Sequence, residues 1–152
     1  MTNLVYSADG STGATLYTFS AGEPLCIKDA LKYAYIGENE QIVAIWIESV
    51  DGSASPGANV LTGDSIYVKC RTDTDQYLDV RVAGTYAKWH DEGLGDSTWT
   101  IHFHGDNTSG AVIPLGQPFV LWNGNGQALS PIDTSFCTLG DGSDVWSITA
   151  SS

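Results

Sequence analysis

The sequence predicts an all-β domain assembled from three copies of one unit of about 50 residues. Glycine and tryptophan recur at a fixed interval, and each unit holds about four short alternating segments separated by Gly, Asn, Asp and Ser turns. Such segments are typical of strands joined by tight hairpins. The composition agrees, because the chain is rich in Gly, Thr, Ser and aromatic residues. Residues 1–152 are therefore expected to form a single domain of about twelve strands.

Copies two and three align without a gap. Residues 52–68 read GSASPGANVLTGDSIYV, and residues 105–121 read GDNTSGAVIPLGQPFVL. The three matching glycines are each 53 residues apart, as are Trp46 and Trp99. A match of this length identifies an internal repeat.

Copy one is assigned to the stretch STGATLYTFSAGEPLCIK, with Gly13 and Gly22 in the places of the repeat glycines. In this alignment GEPLCIK matches GDSIYVK and GQPFVLW, and KYAYIG matches QYLDVR and QALSPI. The units close with AIWIES, STWTIH and DVWSIT, which contain Trp46, Trp99 and Trp146. One strand of the set is supplied from the N-terminus.

Alternation along the strands predicts which side chains point into the core. The three repeat tryptophans are interpreted as core residues. The aliphatic and phenyl side chains expected to join them are Leu25, Ile27, Ile66, Val68, Phe119 and Leu121. One unit cannot bury its apolar faces alone, whereas three units close a barrel and share a core.

The repeat G-x-x-Φ-x-Φ, followed by a [YA]-[LA] pair and W-x-[IE], resembles the repeat of the β-trefoil superfamily. It is similar to the ricin-B-like, fascin-like and arabinose-binding members and covers nearly the whole chain. The resemblance implies a six-stranded barrel capped by three hairpins. A different closed or sandwich all-β fold is the alternative, because copy number and strand count carry the assignment.

Charge and composition exclude several classes of function. Eighteen acidic and six basic residues give a formal net charge of −12, which would repel nucleic acid and an anionic membrane. Residues 1–20 lack the basic and apolar regions of a signal peptide, and no segment approaches the roughly 18 apolar residues of a membrane span. We therefore expect a soluble, cytoplasmic protein, with non-classical secretion left open, that binds no nucleic acid and does not insert into membranes.

The cysteines and histidines give weak signals. Three cysteines, Cys26, Cys70 and Cys137, cannot all pair within one chain and are expected to be reduced thiols. In TIHFHGD, His102 and His104 share a strand face, but HxH arises often by chance and half-exposed histidines are the preferred interpretation. The acidic turns TDTD and DGSD lack the spacing of an EF-hand. No enzyme, cofactor or metal site is predicted.

A tryptophan breaks the symmetry of the copies. In the alignment above, the outward position of Lys28 and Lys69 in copies one and two is Trp122 in copy three. A large aromatic residue where lysine would serve suggests a binding platform. The amides beside it are Asn123, Asn125 and Gln127. In the alternative, Trp122 packs beneath a neighbouring loop.

Copy two holds a second candidate site, in DVRVAGTYAKWHDEGLGDSTW. In ricin-B-like lectins an LDV aspartate, an aromatic residue and an Asn/Gln pair before a Q-x-W tryptophan form the sugar site. The similar order here is Asp79, then Trp89, then Asp96, and the same segment carries Tyr86 and His90. In the alternative, Trp89 caps the barrel and Asp79 ties a turn.

This second resemblance is partial. The three copies have AIW, STW and DVW in place of Q-x-W, and the flanking disulfide-forming cysteines are absent. The aspartate is replaced in the other two copies, which have Tyr35 and Ser130. Only copy two is therefore expected to hold such a site.

These residue types suit a sugar, because an aromatic face accepts the apolar side of a pyranose while carboxylates and amides bind its hydroxyls. The sequence thus predicts a non-catalytic, lectin-like protein with glycans or glycoproteins as partners. The alternative is a protein-binding trefoil such as a cytoplasmic protease inhibitor, with a loop at residues 84–96 or 131–144. Fascin-like actin bundling is disfavoured, since actin is acidic and this protein has no basic face. The oligomeric state is left open, a homodimer being one option.

Overall fold

The fold is seen in a computed structural model that describes most of the chain. The described residues are 3–7, 14–19, 21–28, 31–37, 41–80, 86–93, 97–124, 126–131 and 136–150. Two predicted site residues, Asp96 and Asn125, lie outside them.

Thirteen strands and no α-helix occur in the described part of the chain. The strands are β1 (Ala14–Thr18), β2 (Leu25–Lys28), β3 (Tyr33–Ile36), β4 (Gln41–Ile42), β5 (Ile45–Ser49), β6 (Ser65–Arg71), β7 (Asp75–Asp79), β8 (Lys88–His90), β9 (Trp99–His102), β10 (Val120–Trp122), β11 (Ala128–Pro131), β12 (Cys137–Gly140) and β13 (Trp146–Ala150). The all-β prediction is confirmed, with the two-residue strand β4 added to the expected twelve.

Six of these strands form a closed barrel. Strand β13 pairs with β1, β1 with β5, β5 with β6, β6 with β9, and β9 with β10. A bridge between Phe119 and Trp146, with both backbone hydrogen bonds at 2.8 Å, closes the ring. The three remaining hairpins are β2–β3, β7–β8 and β11–β12. A six-stranded barrel with three hairpins is a β-trefoil, as the sequence predicted.

The first strands of the three copies are β1, β6 and β10. Each pairs with the last strand of the preceding copy in the same register, through the pairs Leu16–Ile148, Val68–Ile47 and Leu121–Ile101. The alignment of copy one was therefore wrong: ATLYT, rather than GEPLCIK, matches GDSIYVK and GQPFVLW. Tyr17, not Lys28, is the counterpart of Lys69 and Trp122.

The hairpins repeat the same symmetry. At their buried inner position they carry Leu25, Leu78 and Leu129, which pair with Ile36, Trp89 and Leu139. The wrong alignment arose because side chains alternate between the two strand faces in both LYT of β1 and LCI of β2. The repeat pattern therefore fits either strand. Gly22 lies in the β1–β2 turn, where its N–H donates to the Thr18 carbonyl at 2.8 Å and its φ is 64°.

The predicted core side chains are buried, with one tryptophan placed differently. Trp99 and Trp146 are fully buried and donate from Nε1 to the carbonyls of Leu78 and Leu129 at 2.9 and 3.0 Å. The corresponding place in copy one belongs to Ile45, which pairs with β1 as Trp99 pairs with β6. Trp46 is the next residue after Ile45, so its side chain points to the opposite face of β5. It is 4% exposed but does not belong to the central core cluster.

The N-terminal segment lies where copy three joins copy one, and residues 3 and 5 form isolated bridges there. The Leu4 N–H donates to Ile113 at 2.8 Å, and the Leu4 carbonyl accepts from Val60 at 3.0 Å. All three side chains are buried in the core. The three turns that join successive copies are thus tied to one another.

Candidate functional site

The three hairpins meet around the pseudo-threefold axis. The Ala34 N–H donates to the Ala87 carbonyl at 3.0 Å, and the Ala87 N–H donates to the Cys137 carbonyl at 2.8 Å. These equivalent residues are fully buried. The residue before each of them is aromatic, so every copy contributes one ring to the axis.

The three rings contact one another. The Tyr33 ring centre lies 5.9 Å from that of Tyr86 and 5.3 Å from that of Phe136, both edge to face. Tyr86 and Phe136 are stacked at 4.6 Å with an interplanar angle of 13°. A fourth ring, Tyr35, meets Phe136 edge to face at 5.2 Å. Tyr86 is 38% exposed, so the group is fixed by mutual packing and also reaches solvent.

Two ammonium groups lie over these rings. The Nζ atom of Lys28 is 4.2 Å from the centre of Tyr35 and 5.2 Å from that of Phe136. The Nζ atom of Lys88 is 4.9 Å from the centre of Tyr33. All three distances fall within the range of cation–π attraction. We call the set Tyr33, Tyr35, Tyr86, Phe136, Lys28 and Lys88 the axial cluster.

The copy-two residues predicted from the lectin resemblance are mostly inaccessible. Asp79 is fully buried; its carboxylate accepts from Ser97 at 3.0 Å and lies 3.1 Å from Nε2 of His90. Trp89 is 2% exposed and belongs to the core. It points inward because it pairs with Leu78, on the buried face of the hairpin. The packing alternative therefore describes both Asp79 and Trp89, and among the described residues of this site only His90 is partly exposed.

Trp122 is half-buried and packs against the turn between β12 and β13. The ring lies so close to Gly142 that a Cβ at that glycine would overlap it. In the adjoining turn, the Asn123 N–H donates to the Gln127 carbonyl at 2.7 Å, and Asn123 Oδ1 accepts from Gln127 at 3.4 Å. Trp122 thus packs beneath a neighbouring turn, which was the alternative interpretation, while Gln127 is exposed.

A second group of rings and charges surrounds Trp46. Lys69 is 5% exposed, with Nζ 3.0 Å from Glu48 and 3.6 Å from Asp75, and it lies 4.6 Å from the Tyr77 ring centre. Burial opposes its positive charge, but Glu48 and Tyr77 outweigh that effect and raise the pKa of Lys69. The ammonium is thus fixed by internal partners, which indicates a structural role.

A polar cleft of about 330 Å³ lies beside Tyr6, Ser49, Asp51 and Asp64. The Tyr6 hydroxyl donates to Asp64 at 2.7 Å, and burial together with Asp64 raises the pKa of Tyr6. Tyr6 is 5% exposed, so the cleft presents hydroxyls and carboxylates but no open ring face.

The described residues contain neither a metal-ligand group nor a membrane-spanning helix. Within them, no three His, Cys, Asp or Glu side chains are grouped closely enough to hold a metal ion. The same residues contain no helix with the length and apolar character needed to cross a membrane.

The sequence analysis did not predict the axial cluster. Tyr33, Tyr86 and Phe136 precede the equivalent hairpin residues, but the incorrect placement of copy one hid their relation. Tyr33 and Tyr86 are 53 residues apart, as the repeat glycines are, whereas Tyr86 and Phe136 are 50 apart, so the fixed spacing was a signal for the first two rings only. Aligning the copies on the buried Ala34, Ala87 and Cys137 would have found it.

Comparison with known proteins shows the fold alone. No protein family and no curated protein matches the chain. Among solved structures, the SDF2-like protein from Arabidopsis thaliana is 11% identical with a TM-score of 0.67, over 97% of this chain and 94% of that chain. A Caenorhabditis elegans protein of unknown function is 15% identical with the same TM-score, over 98% of this chain and 95% of that chain.

The lysenin pore is 12% identical with a TM-score of 0.65, and the match covers 100% of this chain and 49% of that chain. These identities are too low to transfer an activity. The protein is therefore a β-trefoil that shares its fold with these three proteins.

Proposed function

We propose that this protein binds carbohydrate without catalysis and that the axial cluster is its binding surface. The observation that supports this most is the position of Tyr86, which is 38% exposed while its ring stacks on Phe136. An exposed ring held by other rings offers a flat apolar surface that is already ordered. Little conformational entropy is then lost when a ligand docks on it.

The chemistry around the rings fits a sugar. A pyranose presents an apolar face to an aromatic ring, and its hydroxyls need hydrogen-bond partners at the rim. Phenol hydroxyls of the tyrosines and the ammoniums of Lys28 and Lys88 are such partners. Glycoside hydrolysis would use a pair of carboxyl groups, whereas the axial cluster consists of phenols, a phenyl ring and ammoniums. Binding rather than turnover is the function it supports.

The first test is a glycan-array screen of the labelled protein and its Tyr86→Ala variant. We expect reproducible binding by the wild type and a loss of about tenfold in affinity, roughly 1.4 kcal/mol, in Tyr86→Ala. Tyr86→Phe keeps the ring and should retain most of the binding. Phe19→Ala is the control for removal of an exposed ring, since Phe19 is 47% exposed and lies outside the axial cluster.

Two results would contradict the proposal. Full binding by a folded Tyr86→Ala variant would show that the axial cluster is only a cap on the barrel. A blank array with protein that is folded by circular dichroism would argue against carbohydrate binding altogether. Inhibition in a panel of serine and cysteine proteases would then favour the protein-binding alternative.

A further inference from the structure

The polar cleft lies where the N-terminal segment meets the turn between β5 and β6. Tyr6 is the most buried of the residues that line it, and its hydroxyl donates to Asp64 Oδ2 at 2.7 Å. The other polar side chains of the cleft are Ser49, Asp51, Ser53 and Ser65. The cleft measures about 330 Å³, and a cavity of about 180 Å³ adjoins it on the other side of Tyr6. Volumes of this order are typical of small-molecule sites.

The tyrosine in this cleft is not a requirement of the fold. Tyr6 makes two backbone hydrogen bonds with residues 57–58, at 2.8 and 2.9 Å, and Thr62 makes the same pair with residues 110–111, both at 2.8 Å. Because copies two and three align without a gap, the third equivalent is Leu115. A position that takes tyrosine, threonine and leucine in turn does not need a phenol for folding, so the phenol has a local role.

The carboxylate of Asp64 is fixed and can still accept hydrogen bonds. It accepts from the Tyr6 hydroxyl and from the Leu61 N–H at 2.7 and 3.0 Å, and in the described part of the chain both bonds end on Oδ2. A carboxylate has about four acceptor positions, so those of Oδ1 remain for a ligand. Burial together with Asp64 raises the pKa of Tyr6, so the phenol stays protonated at neutral pH and the direction of its hydrogen bond is fixed.

Asp51 brings a second carboxylate to the cleft. Its Oδ1 accepts from the Ser53 N–H at 3.0 Å and from the Ser49 hydroxyl at 3.4 Å. These bonds, above all those from Ser53, lower the pKa of Asp51, so the group is charged at neutral pH. None of the described residues that line the cleft is basic. The cleft therefore offers carboxylates, which only accept hydrogen bonds, and hydroxyls, which donate and accept.

We propose that this cleft is a second saccharide site, which binds the vicinal hydroxyls of a pyranose through hydrogen bonds without ring stacking. Sugar hydroxyls donate to carboxylates and accept from serine hydroxyls, whereas an ammonium only donates. Hydrogen bonds to an ionised carboxylate are also stronger than those between neutral groups. The inference rests on the proposed function for its ligand class, but it uses no residue of the axial cluster. One chain would then hold two sites, which raises its avidity for a branched or repeating glycan.

The test is a titration of isotope-labelled protein with the methyl α-glycosides of glucose, galactose and mannose, followed by backbone amide NMR shifts. We expect saturable shifts at Ser53, Gly63 and Ser65 with at least one of the three. The per-O-methyl ether of the same glycoside keeps the ring and removes its hydrogen-bond donors. It should bind at the cleft at least about tenfold more weakly.

Asp64→Asn is the decisive variant. Asparagine keeps one oxygen to accept from Tyr6 and Leu61 and puts an amide nitrogen in place of Oδ1, so we expect a folded protein with about tenfold weaker binding at the cleft. Asp106→Asn is the matched control, because Asp106 is an exposed turn residue outside the cleft that also accepts from a backbone N–H, at 2.8 Å. It should bind like the wild type. Tyr86→Ala should also keep the shifts at the cleft.

The outcomes separate the two sites. Shifts that are confined to Ala34, Ala87 and their neighbours would overturn the cleft site and leave the axial cluster standing. Equal weakening in Asp64→Asn and Asp106→Asn, or equal binding of the glycoside and its per-O-methyl ether, would also overturn it. Absence of shifts at the cleft with all three glycosides would do the same, and together with a blank glycan array it would refute the proposed function as well.

Discussion

At the scale of single residues, the asymmetry at Asp79 has a structural cause. Ser97 donates to Asp79 at 3.0 Å in copy two, and Ser130 donates to Asp144 in copy three. Position 79 corresponds to 130, and 97 corresponds to 144, so the same bond is made with donor and acceptor exchanged. A residue that seems special to one copy is thus one half of a shared pair.

We therefore expect Asp79→Ala to destabilise the fold. Removing the buried carboxylate takes the acceptor of Ser97 away and removes the close contact with His90, which costs about 1–3 kcal/mol in the free energy of unfolding. Urea titration at pH 7 measures the change. Asp141→Ala, at an exposed turn, is the control and should cost less. Wild-type stability in Asp79→Ala combined with lost glycan binding would instead make Asp79 a ligand residue.

At the scale of elements, the β12–β13 turn determines the environment of Trp122. The Ser143 N–H donates to the Asp141 carboxylate at 3.0 Å, and this hydrogen bonding lowers the pKa of Asp141. Gly142 has a φ of 88° and is in contact with the Trp122 ring. Turn and tryptophan therefore form one packed unit.

Gly142→Ala should disrupt that unit. The new Cβ must displace the Trp122 ring, in addition to the cost of a left-handed conformation, so we expect a loss of about 2–3 kcal/mol. Gly126→Ala is the matched control, since its φ is 75° but no atom lies within 4 Å of a Cβ there. Urea titration gives the difference between the two variants, and a red shift of tryptophan emission should accompany Gly142→Ala alone. Equal stability of both variants would contradict the contact.

Element identity was predictable from the sequence, whereas the assignment of strands in copy one was not. Alternation and turn residues locate strands, because the pleat and the hairpin impose them locally. The strand of copy one that corresponds to β6 and β10 is identified by pairing across the barrel. The sequence alone does not identify it, because β1 and β2 fit the alternating repeat pattern equally well. The burial of Trp89 was also hidden, since the pairing that turns it inward is fixed by Leu78 on another strand.

At the scale of the whole molecule, the candidate site is a product of symmetry. No single segment of the sequence predicts the axial cluster, because each copy supplies only one of the three rings that meet on the axis. The buried layer beneath the rings shows the same symmetry with one exception. Copies one and two have Ala34 and Ala87, and copy three has the thiol of Cys137.

Because Cys137 is a buried thiol, we expect the free energy of unfolding to fall at alkaline pH. Burial raises the pKa of the Cys137 thiol, and it raises that of Cys70 to about 12. In the unfolded chain a thiol ionises near pH 8.5. The neutral folded thiols therefore give their full stability below that pH and lose it as the pH rises toward the folded pKa. The slope is about 1.4 kcal/mol per pH unit for each thiol.

Cys137→Ala tests this dependence with the residue that the other two copies already carry. At pH 7 the variant should lose about 1 kcal/mol, because one buried sulfur is removed. Between pH 9 and pH 10, urea titrations under reducing conditions should show its free energy of unfolding falling less steeply than that of the wild type, by about 1.4 kcal/mol per pH unit. Ile113→Val, a core change of similar cost, should keep the wild-type slope. An unchanged slope in Cys137→Ala would mean that this thiol ionises as readily in the folded protein as in the unfolded chain.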